Sequence, residues 1–379
     1  MESIESILER LGRSGNLRNI PPDSRGDGLV DFTSNDYLGL AADSSLQDEF
    51  FAKLGDDRPS LTSSASRLLA SDQIYYQRLE ETLARLYGRT ALLFNSGYHA
   101  NTGLIAALAP AGTLIVADKL VHASIIDGYK LSGADLARFR HNDMNHLESI
   151  VRSKSDAYGR ILVVTESVYS MDGDSPDINA LLSIKSRYPS VMLYVDEAHA
   201  FAVSGPGGLG LSMDSENPDG IDVLVGTFGK AAASVGAFAV MSDTLRSYAV
   251  NNARSLIFST AIPPLNAEWT RFVVERLPML EERRRHLRIL AARLHEGLME
   301  LTPAGSKLIP AESHIQYIVT GSADRAVALS QALKRRGQKV LPIRTPTVPP
   351  GTERLRISLS AAMTIEDIDS LIDSLRNEI

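Results

Sequence analysis

Three short stretches of this chain carry side chains capable of covalent or acid–base chemistry. A β-branched run, Val191–Val195, ends in Asp196-Glu197-Ala198-His199, which puts a carboxylate and an imidazole three residues apart at a strand end. Ligands of open parallel sheets sit at the carboxyl ends of the strands. Asp196 is therefore either a functional group or a local salt-bridge partner or cap. A second run, Val223–Thr227, leads into Phe228-Gly229-Lys230-Ala231-Ala232-Ala233, a lone lysine among small and apolar neighbours. Such a lysine is either exposed or a Schiff-base nucleophile, which needs room for an adduct and desolvation to lower its pKa. The third stretch, Phe94-Asn95-Ser96-Gly97-Tyr98, closes a strand-like run and opens a helical pattern from about His99. Free N–H groups and the positive end of a helix dipole suit a phosphate there, and also describe a plain helix cap.

The surrounding texture says what must hold these residues. Apolar runs at Ala91–Phe94, Thr113–Ala117, Ile161–Thr165, Val191–Val195, Val223–Thr227 and Gly236–Met241 alternate with helical spacing, as at Ala100–Ala109, Leu147–Val151 and Ile178–Arg187. Continuous hydrophobic strands between helices predict a helix-covered, mainly parallel α/β sheet. After Ile262-Pro263-Pro264 the pattern predicts one long helix from about Leu265 to Leu301. Strand-like Ile315–Val319, a helix near Asp324–Arg336, strand-like Leu355–Leu359 and a helix over Ile365–Arg376 follow. The expected organisation is an N-terminal helix and arm over 1–49, a large α/β domain over 50–251 and a smaller α+β domain over 252–379. The basic run Glu282-Arg283-Arg284-Arg285 reads as a solvated helix face.

Composition narrows the chemistry. The chain has 379 residues and no cysteine, which excludes disulfides, iron–sulfur clusters, Cys-type zinc sites and a thiolate nucleophile. Its net charge is −7, so it has no global attraction for nucleic acid or anionic membranes. Ile4, Ile7, Leu8 and Leu11 predict a short amphipathic helix rather than a secretory signal. No stretch approaches the ~20 apolar residues of a membrane span, and a cytoplasmic location is the default. Gly205-Pro206-Gly207-Gly208-Leu209-Gly210 matches GxGxxG, but it does not join a strand to a helix and lacks the later acidic residue of a dinucleotide site. No phosphate loop accompanies Asp196-Glu197-Ala198-His199, and there is no HExxH or GxSxG. His141, Asp143 and His146 lie in a polar, loop-like setting that favours solvated side chains over a metal site, so no metal is expected.

The three stretches mean more together than apart. A phosphate-binding helix start, a strand-end carboxylate and, 34 residues beyond it, a strand-end amine meet the needs of pyridoxal phosphate for its phosphate, pyridinium nitrogen and aldehyde. With Ser34-Asn35-Asp36-Tyr37-Leu38-Gly39-Leu40, Glu166-Ser167-Val168-Tyr169-Ser170-Met171-Asp172-Gly173-Asp174, Asp196-Glu197-Ala198-His199, Thr227-Phe228-Gly229-Lys230 and Arg354-Leu355-Arg356, the chain resembles the α-oxoamine synthases among the fold-type I pyridoxal-phosphate enzymes.

That resemblance implies an aspartate aminotransferase-like fold and a decarboxylative condensation of an amino acid with an acyl thioester. Lys230 would bind the cofactor aldehyde and remove the substrate Cα proton, Asp196 would pair with the pyridinium nitrogen, and His122 would stack on the ring and meet the substrate. His199 and Ser170 would surround the ring's phenolic oxygen, and Gly97, Tyr98 and Thr227 the phosphate and ring. Ser259 and Thr260 would reach the phosphate of a neighbouring subunit, implying a homodimer with shared sites. Arg356 would grip the amino-acid carboxylate, and Arg18 and Thr347 would contact the acyl side. The stretch Ile343-Arg344-Thr345-Pro346-Thr347-Val348-Pro349-Pro350-Gly351-Thr352 is similar to members that join alanine to a pimeloyl thioester, carried by CoA or a carrier protein. A sister enzyme using glycine or serine, and a non-catalytic relative keeping the fold as a binding module, are the alternatives. Ser71, Tyr76, Phe201, Leu209 and Met363 depart from the family's usual residues and bear on the acyl pocket.

Overall fold

The structure, a computed structural model, describes residues 2–14, 16, 17, 20, 28–303, 306 and 308–379. Seven segments pair into one sheet: β1 (Thr90–Phe94), β2 (Leu114–Asp118), β3 (Asp135–Phe139), β4 (Ile161–Glu166), β5 (Val191–Asp196), β6 (Val223–Thr227) and β7 (Ala237–Met241). Their order is β1-β7-β6-β5-β4-β2-β3. β7 runs antiparallel to β1 and β6, and the other pairs are parallel. Every residue of β2, β4, β6 and β7 is buried, which is why these strands read as unbroken apolar runs. β3 (Asp-Leu-Ala-Arg-Phe) escaped that reading. It is an edge strand with one neighbour and partly exposed positions, so nothing requires it to be continuously apolar.

The described chain forms two compact units. The larger comprises Leu38–Ser170 and Ser175–Arg284, and the smaller the residues up to Tyr37, Met171–Asp174 and Arg285–Ile379. These limits fall elsewhere than the sequence-based ones at 49/50 and 251/252. An aromatic cluster explains why: Phe50, on the helix Ser44–Leu54, packs edge-on against Trp269 at 5.1 Å and Phe272 at 5.4 Å, both on the helix Pro264–Arg276. The change of texture at Pro263-Pro264 marks a helix start with proline in its first turn.

The long helix expected over 265–301 is interrupted. Pro264–Arg276 passes into a 3₁₀ turn, Leu277–Leu280, before Glu281–Leu301 resumes. Pro278 lacks the N–H that a continuous α-helix would use there. The basic run is also more than a solvated face. Arg284 is buried, donating from Nε to Glu281 at 2.8 Å and from Nη2 to the Leu277 carbonyl at 2.9 Å, while Arg283 donates to the Leu38 carbonyl at 2.9 Å.

The smaller unit holds an antiparallel sheet of β8 (Ile315–Val319), β9 (Leu341–Ile343) and β10 (Arg354–Ser358), in the order β9-β10-β8. Helices Ala323–Arg335 and Ile365–Glu378 accompany it, the latter opened by a Thr364/Asp367 capping box. Among the described residues, no helix is long and apolar enough to cross a membrane.

Candidate active site

Parallel register sets up the centre of the larger unit. Glu166 closes β4 and Asp196 closes β5, and the two are paired positions, so both carboxyl groups leave the sheet at its carboxyl end on the same side. Thr227 ends the next strand, β6, and Lys230 follows three residues on. The helix Gly97–Leu108 starts just past β1, its N-cap Ser96 accepting from the His99 N–H at 3.2 Å. Together these ends line a cavity of about 170 Å³ bounded by Gly97, Tyr98, Asn101, His122, Ser124, Glu166, Asp196, Ala198, His199, Thr227 and Lys230.

Within this cavity the Asp196 carboxylate is aimed from two sides. Oδ1 accepts from the Ala198 N–H at 2.9 Å and Oδ2 from the Asn101 amide at 2.7 Å. Lys230 Nζ lies 2.7 Å from His199 Nε2. His122 caps the helix Ala123–Ser132, its Nδ1 accepting from the Ser124 N–H at 3.2 Å, while its own N–H donates to the Glu166 carboxyl. Burial, and next the Asp196 charge, push the Glu166 carboxyl up to about 8. Burial is also the main cause that holds His122 below its ordinary value, with Asp196 pulling the other way. Tyr98, half exposed, donates from its hydroxyl to Asp127 at 2.6 Å.

This donor set fits pyridoxal phosphate. It offers a hydrogen-bonded carboxylate, an amine, and a helix start whose first-turn N–H groups lie beside the Thr227 side chain. A Cβ built on Gly97 would come within 3.7 Å of Thr227 Cβ, an ordinary contact distance that places the helix start beside the Thr227 side chain.

The Glu166 shift has a consequence for stability. A carboxyl whose folded pKa is raised contributes stability that is full below its ordinary value near 4.5 and lost as pH rises through about 8. Glu166→Gln keeps an acceptor for the His122 N–H without the titration. In thermal melts of the cofactor-free protein, its advantage over wild type should grow across that window and level off above it. A pH-independent difference between the two would contradict the assignment.

Of the residues expected from the sequence, Gly97, Tyr98, His122, Asp196, His199, Thr227 and Lys230 converge on this one cavity. Ser170 is partly buried at the end of the Glu166–Ser170 segment and is not among the lining residues. Ser259 and Thr260 do not line it either. Thr260 is exposed, bridges to Ser66, and accepts from the Asn95 amide through its carbonyl. In the smaller unit, Arg356 is buried on β10 and donates to Ser358 Oγ at 2.6 Å and to Asn35 Oδ1 at 3.3 Å. Thr347 is exposed in a turn, its N–H donating to the Arg344 carbonyl at 2.9 Å. Arg18 lies outside the described residues.

Sequence reasoning missed Asn101, Ser124 and Glu166 as site residues. Glu166 did leave a signal: like Asp196, it is a carboxylate closing an otherwise uncharged strand. The departures from the family pattern mostly pack. Tyr76 donates to the Ile262 carbonyl at 2.7 Å, Phe201 sits 4.8 Å from Phe238, the Leu209 carbonyl accepts from Tyr87 at 2.7 Å, and Met363 is buried; Ser71 is exposed.

Comparison with known proteins gives the following. The family model for class I and II aminotransferases matches residues 27–375. A protein of Pasteurella multocida that carries the provisional name 8-amino-7-oxononanoate synthase is 48% identical over 349 residues, covering 92% of this chain and 89% of its own. Among solved structures, a serine palmitoyltransferase from S. paucimobilis with bound PLP and myriocin superposes with a TM-score of 0.84 at 29% identity, over 92% of this chain and 87% of that one. The crystal structure of 8-amino-7-oxononanoate synthase from Francisella tularensis gives a TM-score of 0.75 at 29% identity, over 93% and 98% of the two chains.

Proposed function

Because the chain belongs to the class I and II aminotransferase family, and within it to the α-oxoamine synthases, we propose that it condenses L-alanine with a pimeloyl thioester to 8-amino-7-oxononanoate, CO₂ and free thiol. It is a pyridoxal-phosphate-dependent acyltransferase of fold type I, and the proposed step belongs to biotin synthesis. The observation that carries the reading is the convergence of Lys230, Asp196, His122 and His199 on one cavity at the carboxyl ends of parallel strands. Pyridoxal phosphate, when bound, supplies an electron sink for a carbanion at the amino-acid Cα.

The rest falls to the chain's own residues. Asp196, held by Asn101 and Ala198, would present its carboxylate to the pyridine nitrogen and favour that nitrogen's protonated form. The Lys230 amine would hold the cofactor through its aldehyde. The same amine would serve as the base for the Cα proton and would later return one, with His199 2.7 Å from its Nζ to orient it. General base catalysis of this kind typically contributes ~10²–10⁴-fold. His122 would cover the ring face, and the start of the Gly97–Leu108 helix with Thr227 would take the phosphate. Ser170 is assigned to the phenolic oxygen. Arg356 is assigned to the alanine carboxylate, and Arg18 and Thr347 to the acyl chain. Ser259 and Thr260 are assigned to the phosphate of a second copy of the chain, in a homodimer. The assignments of Ser170, Arg18, Thr347, Arg356, Ser259 and Thr260 rest on the family resemblance.

A substrate screen tests the reading. Alanine, glycine and serine are offered with pimeloyl-, acetyl- and palmitoyl-CoA and with pimeloyl carrier protein, while thiol release and product mass are followed. Alanine with a pimeloyl thioester should give the highest kcat/KM and a product of the mass of 8-amino-7-oxononanoate. One methylene is worth only ~1–3 kcal/mol in a pocket, so slower turnover of glycine is compatible with this. A clear preference for glycine with acetyl-CoA, or serine with palmitoyl-CoA, would overturn it.

A further inference from the structure

Two buried side chains of the cavity, Asn101 and Ser124, carry a chain of hydrogen bonds whose direction is fixed by chemistry. A carboxylate only accepts, so the Asn101 atom 2.7 Å from Asp196 Oδ2 is the amide nitrogen. Its second proton reaches Ser124 Oγ at 2.9 Å, while the Tyr194 hydroxyl donates to Asn101 Oδ1 at 2.7 Å. Because Ser124 Oγ accepts from Asn101, its own proton is free to point at His122 Nδ1, 2.7 Å away. The Ser124 backbone N–H donates to that same nitrogen at 3.2 Å. With two donors directed at it, Nδ1 acts as an acceptor, and the ring proton belongs on Nε2. Close packing of two helices makes this possible: a Cβ on Gly128 would meet the Asn101 carbonyl oxygen at 2.9 Å, so glycine lets the Ala123–Ser132 helix approach Gly97–Leu108.

We propose that Asn101 and Ser124 are positioning residues that hold His122 neutral, as the Nε2–H tautomer, and couple its ring to the Asp196 carboxylate. The charged groups around His122 act in both directions. Burial and Lys230 favour the neutral ring, whereas Asp196 and, on its own helix, Asp127 favour the charged one. Glu166 meets it through the backbone N–H. The inference rests on the reading above only for the ring's task. A neutral imidazole against the cofactor adds no second positive charge beside Lys230 and points a single N–H donor at the substrate.

The test uses the full chain labelled with ¹⁵N-histidine, with and without added pyridoxal phosphate, the His122 signals being assigned by their loss in His122→Asn. In wild type, Nδ1 should appear unprotonated and Nε2 protonated at neutral pH. In Ser124→Ala the loss of one donor should raise the His122 pKa by about 0.5–1 unit, and in Asn101→Ala the same direction of change is expected. Ser124→Thr, which keeps the hydroxyl, should restore the wild-type titration and serves as the control for folding. An Nδ1–H tautomer in wild type, or identical His122 titrations in wild type and Ser124→Ala, would overturn the proposal. The cofactor-free measurement stands apart from catalysis. Failure to bind pyridoxal phosphate would count against the proposed function, whereas a wrong tautomer counts against this inference.

Discussion

Lys230→Ala should leave a folded protein that makes no detectable condensation product, with turnover reduced by at least ~10²–10⁴-fold. The expectation follows from position as much as from residue type. Lys230 lies three residues beyond the end of β6, its Nζ faces His199 Nε2 at 2.7 Å, and it lines the cavity that also holds Asp196. Alanine would remove both the amine assigned to the aldehyde and the base assigned to the Cα proton. Neighbouring Ala231 and Ala232 are already buried and small, so the truncation disturbs little packing. Product mass after incubation with alanine and pimeloyl-CoA, next to circular dichroism of the variant, separates loss of chemistry from loss of fold. Wild-type turnover in Lys230→Ala would remove the lysine from the mechanism.

Asp196→Ala should be nearly as damaging, lowering kcat by on the order of 10²–10³-fold, the usual cost of losing one preorganised electrostatic partner of a reacting group. The carboxylate is fixed by Ala198 and Asn101, and the variant loses both contacts together with the charge. The variant also carries an internal check. Repulsion from Asp196 is the second cause of the raised Glu166 carboxyl, so removing it should lower the Glu166 pKa and narrow the pH window of its destabilisation. Steady-state kinetics across pH, together with melts of the same preparation, read out both effects. An unchanged kcat would show that Asp196 is a structural acid.

How far these conclusions were legible in the sequence depends on what kind of interaction fixes each feature. β6 and β8 were read at their observed limits because every or nearly every position is buried and most are apolar, Thr227 and Gln316 being the polar exceptions. β3 was invisible because an edge strand with exposed polar positions carries no such run. The break at Leu277–Leu280 falls at Pro278, within a stretch whose helical spacing continues on both sides. The burial of Arg284 was not legible because it depends on tertiary packing: its Nη1 lies 3.4 Å from the Ala202 carbonyl, 82 residues away.

The candidate site divides in the same way. Asp196 and Lys230 announced themselves as charges at or just past the ends of apolar strands, with His199 three residues beyond Asp196, and the resemblance supplied His122. That Glu166 stands beside Asp196 depends on the register of β4 against β5, which a single sequence does not state. Asn101 and Ser124 depend on two helices packing across Gly128. Each looks like an ordinary polar residue in its own helix until the other is placed next to it.

The most direct test of the central claim, that this cavity is a pyridoxal-phosphate site built around Lys230, is borohydride reduction of the wild-type protein saturated with pyridoxal phosphate, followed by peptide mass mapping. The account predicts a single reduced adduct on Lys230, with a yellow absorption that disappears on reduction. An adduct on another lysine, or none at all in a folded protein, would contradict it.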